Sequence, residues 1–461
     1  MEAIAYRLPL VKSRPVYALL AVHVVMGALF FLIPLLTPVY IILYTLYSIS
    51  VVIQTANKTD AAAYAAVYLA AIEILLRLSR QFILYEYGKY SVVLILLIAL
   101  LIEKKKRKIP IQAILYFVLL LPSIFVGKYV DFLQLRTLIS FNLSGPASLA
   151  LSWIYFSGRK INRDQFKQIV LNFILPLVAV VVFIVLKIPS NASFGTEYSN
   201  KLFSGGFGPN QVSLVLGFGF FITSLSILLG IKITQSIFLD IVLAFLFLGF
   251  GVLTFSRGGV VAGVLCFLAS CFIYIRSGKG SKRLSRMFFG VVFFGIAAYF
   301  GWQILNRFTE NTITNRYVNT VNGPTGNKGT VDLSGRDDLM SNDFEAFFAH
   351  PLLGNGPSGA VAFRSKKYGN DLEAHTEFTR LLGDHGMLGL FAVVILISSG
   401  ISNYRKSKGP KRIISVGFVL AAVLNMLHAA MRLAIPGLAF GFAFADFDFD
   451  EHPLEKSPNT Q

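Results

Sequence analysis

The chain has 461 residues, of which 55% are hydrophobic and only 14% charged, against about 25% charged in soluble domains. Its mean hydropathy is +0.65, and 42 Phe with 19 Tyr give more apolar surface than one globular core can hide. This excludes a soluble enzyme, a disulfide-stapled secreted module and a disordered scaffold, and it ties the net charge of +18 to positive loops beside anionic headgroups rather than to nucleic acid.

A helix needs about 20 apolar residues to cross a bilayer. Runs of that kind fall near 16–36, 39–54, 61–78, 91–103, 111–126, 138–157, 168–187, 212–230, 236–254, 258–275, 287–305, 386–403, 413–430 and, more weakly, 433–445. The fold class they imply is an all-α polytopic membrane protein with about 12–14 transmembrane helices. The first run ends in LIPLLTP without a small-residue cleavage site, so it is expected to stay as a helix. Cys266 and Cys271 share one apolar stretch, where packing as small hydrophobes is the default.

Lys and Arg cluster at Lys12/Arg14, Lys104 to Lys108, Arg159/Lys160/Arg163/Lys167, Arg276 to Arg286 and Arg405 to Arg412. Alternating the spans puts every cluster on one side, which the positive-inside rule makes cytoplasmic, with the N-terminus. The opposite side receives residues 188–211 and the long polar stretch 306–385. A connection that long is usually functional or disordered. It is not low-complexity: Leu339, Phe344, Phe347 and Phe348, and then Phe378, Leu381 and Leu382, are spaced for short amphipathic helices at the outer membrane surface.

Ionisable residues near the membrane are the first candidates for function. Arg257 lies in LTFSRGGVVAG, at the outer end of one span and the start of the next. Its fork suits phosphate, and the two glycines allow a tight turn or close approach of a ligand. Arg336 follows Ser334, which is placed to cap a helix. HPLLGNGPSG, with Gly354 and Gly356, makes a permissive turn. His375 then opens a helix leading into the next span, and histidine is the side chain best poised to take a proton near neutral pH. Upstream, Glu73 and Arg77 are spaced as an internal i, i+4 ion pair, while Arg80 or Lys89 can reach an anion at the outer face. The histidines at 23, 350, 375, 385, 428 and 452 show no HExxH or similar spacing, no thiol pair suggests zinc, and no GxSxG elbow suggests a hydrolase. No metal and no cofactor are expected.

The order SGGFGPNQ (204–211), TFSRGG (254–259), SGR (334–336), HPLLGNGPSG (350–359) and AHTEFTRLLGDHGMLGL (374–390) resembles the bacterial O-antigen ligase and Wzy-type polysaccharide polymerase superfamily. Thr376 stands where that family commonly has Asn. The resemblance covers about residues 204–395, so the chain divides into N-terminal helices 1–203, a ligase/polymerase-like core 204–395 that includes the outer loop 306–385, and C-terminal helices with a short acidic tail, 396–461. It implies metal-independent glycosyl transfer at the outer face of the bacterial inner membrane. The implied donor is a glycan on undecaprenyl pyrophosphate, and the acceptor is a sugar hydroxyl on another lipid-linked chain or on lipid A-core. Membrane lipids and other envelope polysaccharide assembly proteins are further partners; nucleic acid is not. By motif position, Arg257 and Arg336 are carried over as pyrophosphate ligands and His375 as the base or orienting group for the acceptor hydroxyl; Arg80, Arg380, Gly354 and Gly356 are further substrate-binding candidates. A polymerase is the favoured reading. A ligase to lipid A-core or to a protein hydroxyl, a lipid-linked sugar flippase and a passive scaffold are the alternatives, although no internal repeat of the transporter kind is present.

Overall fold

The structure, a computed structural model, describes residues 16–449 apart from 83, 105–108, 128, 130, 190–200, 278–294, 296–298, 300, 308, 316 and 318–335; the side chain of Arg336 is also outside it. The Lys12/Arg14 cluster, most of Lys104 to Lys108 and Arg276 to Arg286, Ser334, most of the 287–305 span, and His452 with the end of the acidic tail lie outside the described residues.

The described chain is helical almost throughout. Helices α1 (Val16–Leu32), α2 (Leu36–Gln54), α3 (Ala61–Ser79), α4 (Tyr87–Ile102) and α5 (Ile111–Val118) are followed by α6 (Phe132–Phe156), α7 (Arg163–Lys187), α8 (Pro209–Leu228), α9 (Ile237–Leu253) and α10 (Arg257–Arg276). The later helices are α11 (Arg336–Ala349), α12 (Gly359–Tyr368), α13 (Glu377–Lys406), α14 (Gly409–Ala429) and α15 (Ile435–Phe442). Seven of these are long and apolar enough to cross a membrane, with α1, α4, the 111–125 segment and α9 as shorter apolar helices. This is an all-α polytopic membrane protein. Exposed Leu43 and Leu46 on α2 and Leu268 and Phe272 on α10 form an apolar surface that suits lipid rather than water. The weakly read last span is corrected: α15 has eight residues, about 12 Å of helix, and does not cross.

Helix α3 sits at the centre. Its run AAAYAAVYLAAIEILLRLS is buried along its whole length, because small residues let α2, α4, α7, α8 and α15 approach its backbone. The same device joins α8 to α10. A Cβ on Gly217 would lie 2.1 Å from the Gly259 carbonyl oxygen, and one on Gly263 would lie 2.2 Å from that of Gly217, so neither position can carry a side chain at this spacing. This contact sets where the first turn of α10, with Arg257, stands.

The bundle has two chemically different ends. The described members of the basic clusters gather at one of them. There Arg159 pairs with Asp60 and Glu103, Arg163 donates to the Gly230 carbonyl at 2.6 Å and Lys411 pairs with Asp446. The acidic run after α15 is therefore no free tail at its start. Residues Asp446–Asp448 (β2) pair in parallel with Lys160–Asn162 (β1), Lys160 opposite Asp446. The opposite end carries the 201–208 loop, the α9–α10 turn and the start of α13.

The outer segment folds against this second end. Helix α11 forms as expected, but its buried stripe is Leu339, Asp343 and Ala346, leaving Phe344 and Phe348 exposed. Asp343 can be buried because Arg364 of α12 pairs with it and Thr379 Oγ1 donates to it at 2.7 Å; burial pushes its carboxyl above the usual range against the pull of Arg364. Residues 377–385 form a short helix that is mostly buried rather than lying on the surface. They run into the span through a kink at Gly386 (φ 61°, ψ −140°).

A Gly263→Val variant places branched carbon against the Gly217 backbone, a clash that neighbours cannot relieve by rotating. Size-exclusion chromatography in detergent is expected to show loss of the monodisperse species; a parent-like profile would contradict the close α8–α10 contact.

Candidate active site

The backbone between α14 and α15, residues 430–434, is irregular and mostly buried, and four charged side chains hold it. Lys89 Nζ donates to the Met431 carbonyl at 3.1 Å and Arg77 Nη2 to the Arg432 carbonyl at 2.7 Å. Glu377 accepts from the Met431 N–H at 3.1 Å and Glu73 from the Ala434 N–H at 2.9 Å. The expected Glu73–Arg77 ion pair is present at 3.2 Å, and Lys89 pairs with Glu86. Arg77 also reaches Gln211 at the start of α8, at 2.8 Å. Helices α3, α4, α8 and α13 thus converge on one turn. Within it, Ala430 takes φ 52°, ψ −162°, a region nearly reserved for glycine that costs about 1–3 kcal/mol.

This turn links the two motifs expected to carry the chemistry. On one side the His428 ring packs on the first turn of α10, where a Cβ on Gly258 would lie 1.9 Å from its Nδ1. His428 Nε2 lies 3.4 Å from both Ser213 Oγ and Ser256 Oγ, and Ser256 Oγ donates to Asn210 Oδ1 at 2.8 Å. On the other side the Ala430 N–H donates to the His375 carbonyl at 3.0 Å, while Arg432 Nη2 donates to the carbonyls of Glu373 and Ala374 at 3.4 and 3.1 Å. Arg257, half-buried, opens α10 directly after Ser256; His375, also half-buried, stands two residues before α13. A small cavity beside the 430–434 turn is lined by Lys89, Glu373, Glu377, Arg380, Met431 and Arg432. Burial raises the Glu373 carboxyl above the ordinary glutamate range, against the pull of Arg432.

His375 does not open the helix, as the sequence suggested. Thr376 is the N-cap and its Oγ1 accepts from the Thr379 N–H at 3.1 Å. Both Thr and Asn can perform that task, which accounts for Thr at a position where the resembling family commonly has Asn. Arg380 is buried and committed to protein partners: it pairs with Glu377, lies 3.7 Å from Asp384 and donates to the Asn142 carbonyl at 3.2 Å. Gly354 (φ 74°) and Gly356 (φ 85°) pack on backbone. A Cβ on the first would lie 2.3 Å from the Asp384 carbonyl oxygen and one on the second 2.4 Å from Gly127 Cα. Their loop is fastened to the α13 kink by Asn355 N–H to Gly383, Gly356 N–H to Asp384 and Met387 N–H to Pro351. Beside the kink, buried His385 places Nε2 2.9 Å from Asn142 Oδ1 and Nδ1 2.7 Å from Ser123 Oγ. Arg336 opens α11, and Arg80 lies beyond α3, bonded to the Gly206 carbonyl at 3.1 Å. The structure therefore brings Arg257 and His375 to one turn, puts Arg380, Gly354 and Gly356 in the supporting packing, and sets Arg80 apart.

Residues 242–394 match the family model described as O-antigen ligase. The match spans about a third of the chain, which over that stretch is similar to this family. No curated protein matches the chain significantly. The matched stretch begins inside α9 and ends inside α13, so it takes in Arg257, Arg336, Gly354, Gly356, His375 and Arg380. Arg80 and the anchoring residues Arg77, Lys89 and Asn142 lie before it, and His428, Ala430 and Arg432 after it.

Sequence reasoning passed over His428, Arg432 and Glu373 as members of this site. A signal was there: Asn425, His428 and Arg432 interrupt an apolar run, and ionisable groups in such runs mark functional positions.

Replacing Lys89 by Met leaves buried Glu86 with only the more distant Arg77, at 4.0 Å, and the Met431 carbonyl without its donor. Removing one partner of a buried pair costs about 3–5 kcal/mol. A lower thermal midpoint in detergent is expected; an unchanged midpoint would show that the 430–434 turn does not depend on these charges.

Proposed function

We propose that this protein transfers glycans between lipid carriers as a surface polysaccharide polymerase, at the extracytoplasmic face of the bacterial inner membrane. The observation that carries the reading is the turn 428–432, which touches the first turn of α10 on one side and the His375 loop on the other, at the end of the bundle remote from the basic clusters. The proposed donor is a glycan on undecaprenyl pyrophosphate. The acceptor hydroxyl attacks the anomeric carbon, the bond from that carbon to the pyrophosphate oxygen breaks, and the hydroxyl proton passes to His375. Charge then grows on the departing pyrophosphate. Arg257, with Arg336 from the start of α11, is assigned to it, where fixed cations stabilise the transition state more than the neutral-bridged ground state. The N-terminus of α10 adds to this, because Ser256 gives no side-chain cap and the helix dipole favours an anion there.

The description of the matched domain favours a second reading, a ligase that uses the same centre with lipid A-core as acceptor. Purified protein incubated with a lipid-linked oligosaccharide separates the two. A ladder formed without lipid A-core supports the polymerase, whereas one shifted glycolipid formed only with it supports the ligase.

His375→Ala is expected to lower transfer by about 10²–10⁴-fold with normal membrane insertion; near-parental product would remove the proton-acceptor role. Arg257→Lys keeps the charge but loses the planar fork, and a rise of at least about tenfold in donor KM is expected. Parent-like kinetics would overturn bidentate pyrophosphate binding.

A further inference from the structure

A second pair of cations stands outside the matched stretch. Lys187 ends α7 and donates to the Leu78 carbonyl at 2.7 Å; Arg80 follows α3 and donates to the Gly206 carbonyl at 3.1 Å. Each bond uses one donor of a group that has three or five. No carboxylate pairs with either cation among the described residues. Between them lies Gly206, in a left-handed conformation (φ 81°). A Cβ there would lie 3.4 Å from Lys187 Cε, 3.6 Å from its Nζ and 4.0 Å from Arg80 Nη2. The space between the two charges is thus kept clear by the missing side chain. Arg80 itself holds a left-handed backbone (φ 57°), which a non-glycine residue adopts only where its surroundings impose it.

The loop that presents Gly206 also reaches the α10 turn. Phe203 packs against Phe255, with ring centroids 6.3 Å apart, two residues before Arg257. One loop therefore touches Arg257's turn through Phe203 and the Arg80/Lys187 pair through Gly206. Transfer between two lipid-linked chains requires two phosphate-bearing carriers to be held at the same time, one whose pyrophosphate leaves and one whose pyrophosphate stays. A lone cation pair at the membrane edge would suit any lipid phosphate; a pair connected by one loop to the reacting centre suits the second carrier.

We propose that Arg80 and Lys187, on either side of Gly206, form a second anion station that binds the retained pyrophosphate of the lipid-linked acceptor. The proposal rests on the glycan-transfer reading for the identity of its ligand, and its binding test does not depend on activity. In phosphatidylcholine nanodiscs, native mass spectrometry with undecaprenyl monophosphate is expected to show two bound lipids for the parent, one for Arg80→Gln/Lys187→Gln and one for Arg257→Gln. Two bound lipids in the double variant would overturn the station. Displacement of that lipid by an equal amount of phosphatidylglycerol would also overturn it, showing a site for ordinary headgroups. For transfer, a labelled donor blocked at its terminal hydroxyl is offered an acceptor repeat on undecaprenyl pyrophosphate or on a neutral alkyl glycoside. The double variant is expected to lower the ratio of kcat/KM for the lipid-linked over the neutral acceptor by about tenfold or more. An unchanged ratio would contradict the proposal. If the parent transfers nothing while the binding stoichiometry behaves as expected, the enzymatic reading fails and the anion station stands as a lipid-phosphate site.

Discussion

Irregular backbone at membrane depth has no water to satisfy its N–H and C=O groups and survives only where protein supplies partners. The buried 430–434 turn is satisfied by four charged side chains from three helices: Glu73 and Arg77 from α3, Lys89 from α4 and Glu377 from α13. Ion pairs buried this way seldom add much net stability, because desolvation offsets their attraction. What they contribute here is position. Each charge is neutralised by a neighbour and also bonded to a particular backbone group, so the turn has one place to sit.

The rest of the site inherits that position. His428, just before the turn, lies against the glycine step of α10, and Ala430 and Arg432 hold the carbonyls of residues 373–375. The kink of α13 is fixed separately, by the glycine-rich loop 354–356 and by the hydrogen bonds of His385. The glycine motifs thus serve close packing between α8 and α10 and between the outer loop and α13, and the histidine and arginine motifs stand on the surfaces that this packing creates. The strained conformation of Ala430 occurs where the two halves meet, a usual place for strain that surrounding structure imposes.

Much of this was legible in the sequence, for physical reasons. Apolar runs long enough to cross a bilayer located the helices, and basic clusters separated the two ends, because both follow from the cost of placing polar groups in lipid. The Glu73–Arg77 pair was readable from its i, i+4 spacing, and the order of five short motifs pointed to the family whose domain matches residues 242–394. Other features were not readable. The start of α13 at Glu377 rather than His375 depends on Thr376 as cap, a choice between adjacent polar residues. The burial of Asp343 on α11 was not readable, because it depends on Arg364, a partner 21 residues away that no helical periodicity reveals. That the missing side chains of Gly354 and Gly356 make room for the backbone of Asp384 and Gly127 was likewise not readable, because both contacts are long-range. Nothing local marks Arg432 as the residue that holds the His375 loop, since it acts through backbone carbonyls nearly sixty positions upstream.

The central claim is that Arg257 and His375 address one bound substrate from opposite sides of the 428–432 turn. An electron cryomicroscopy structure in nanodiscs with undecaprenyl pyrophosphate bound tests this directly. The account predicts pyrophosphate density within hydrogen-bonding distance of the Arg257 guanidinium, with the His375 imidazole opening onto the same water-filled space and Ala430 still bonded to the His375 carbonyl. Pyrophosphate seated away from the first turn of α10, or an imidazole turned into lipid with no path to that density, would contradict it.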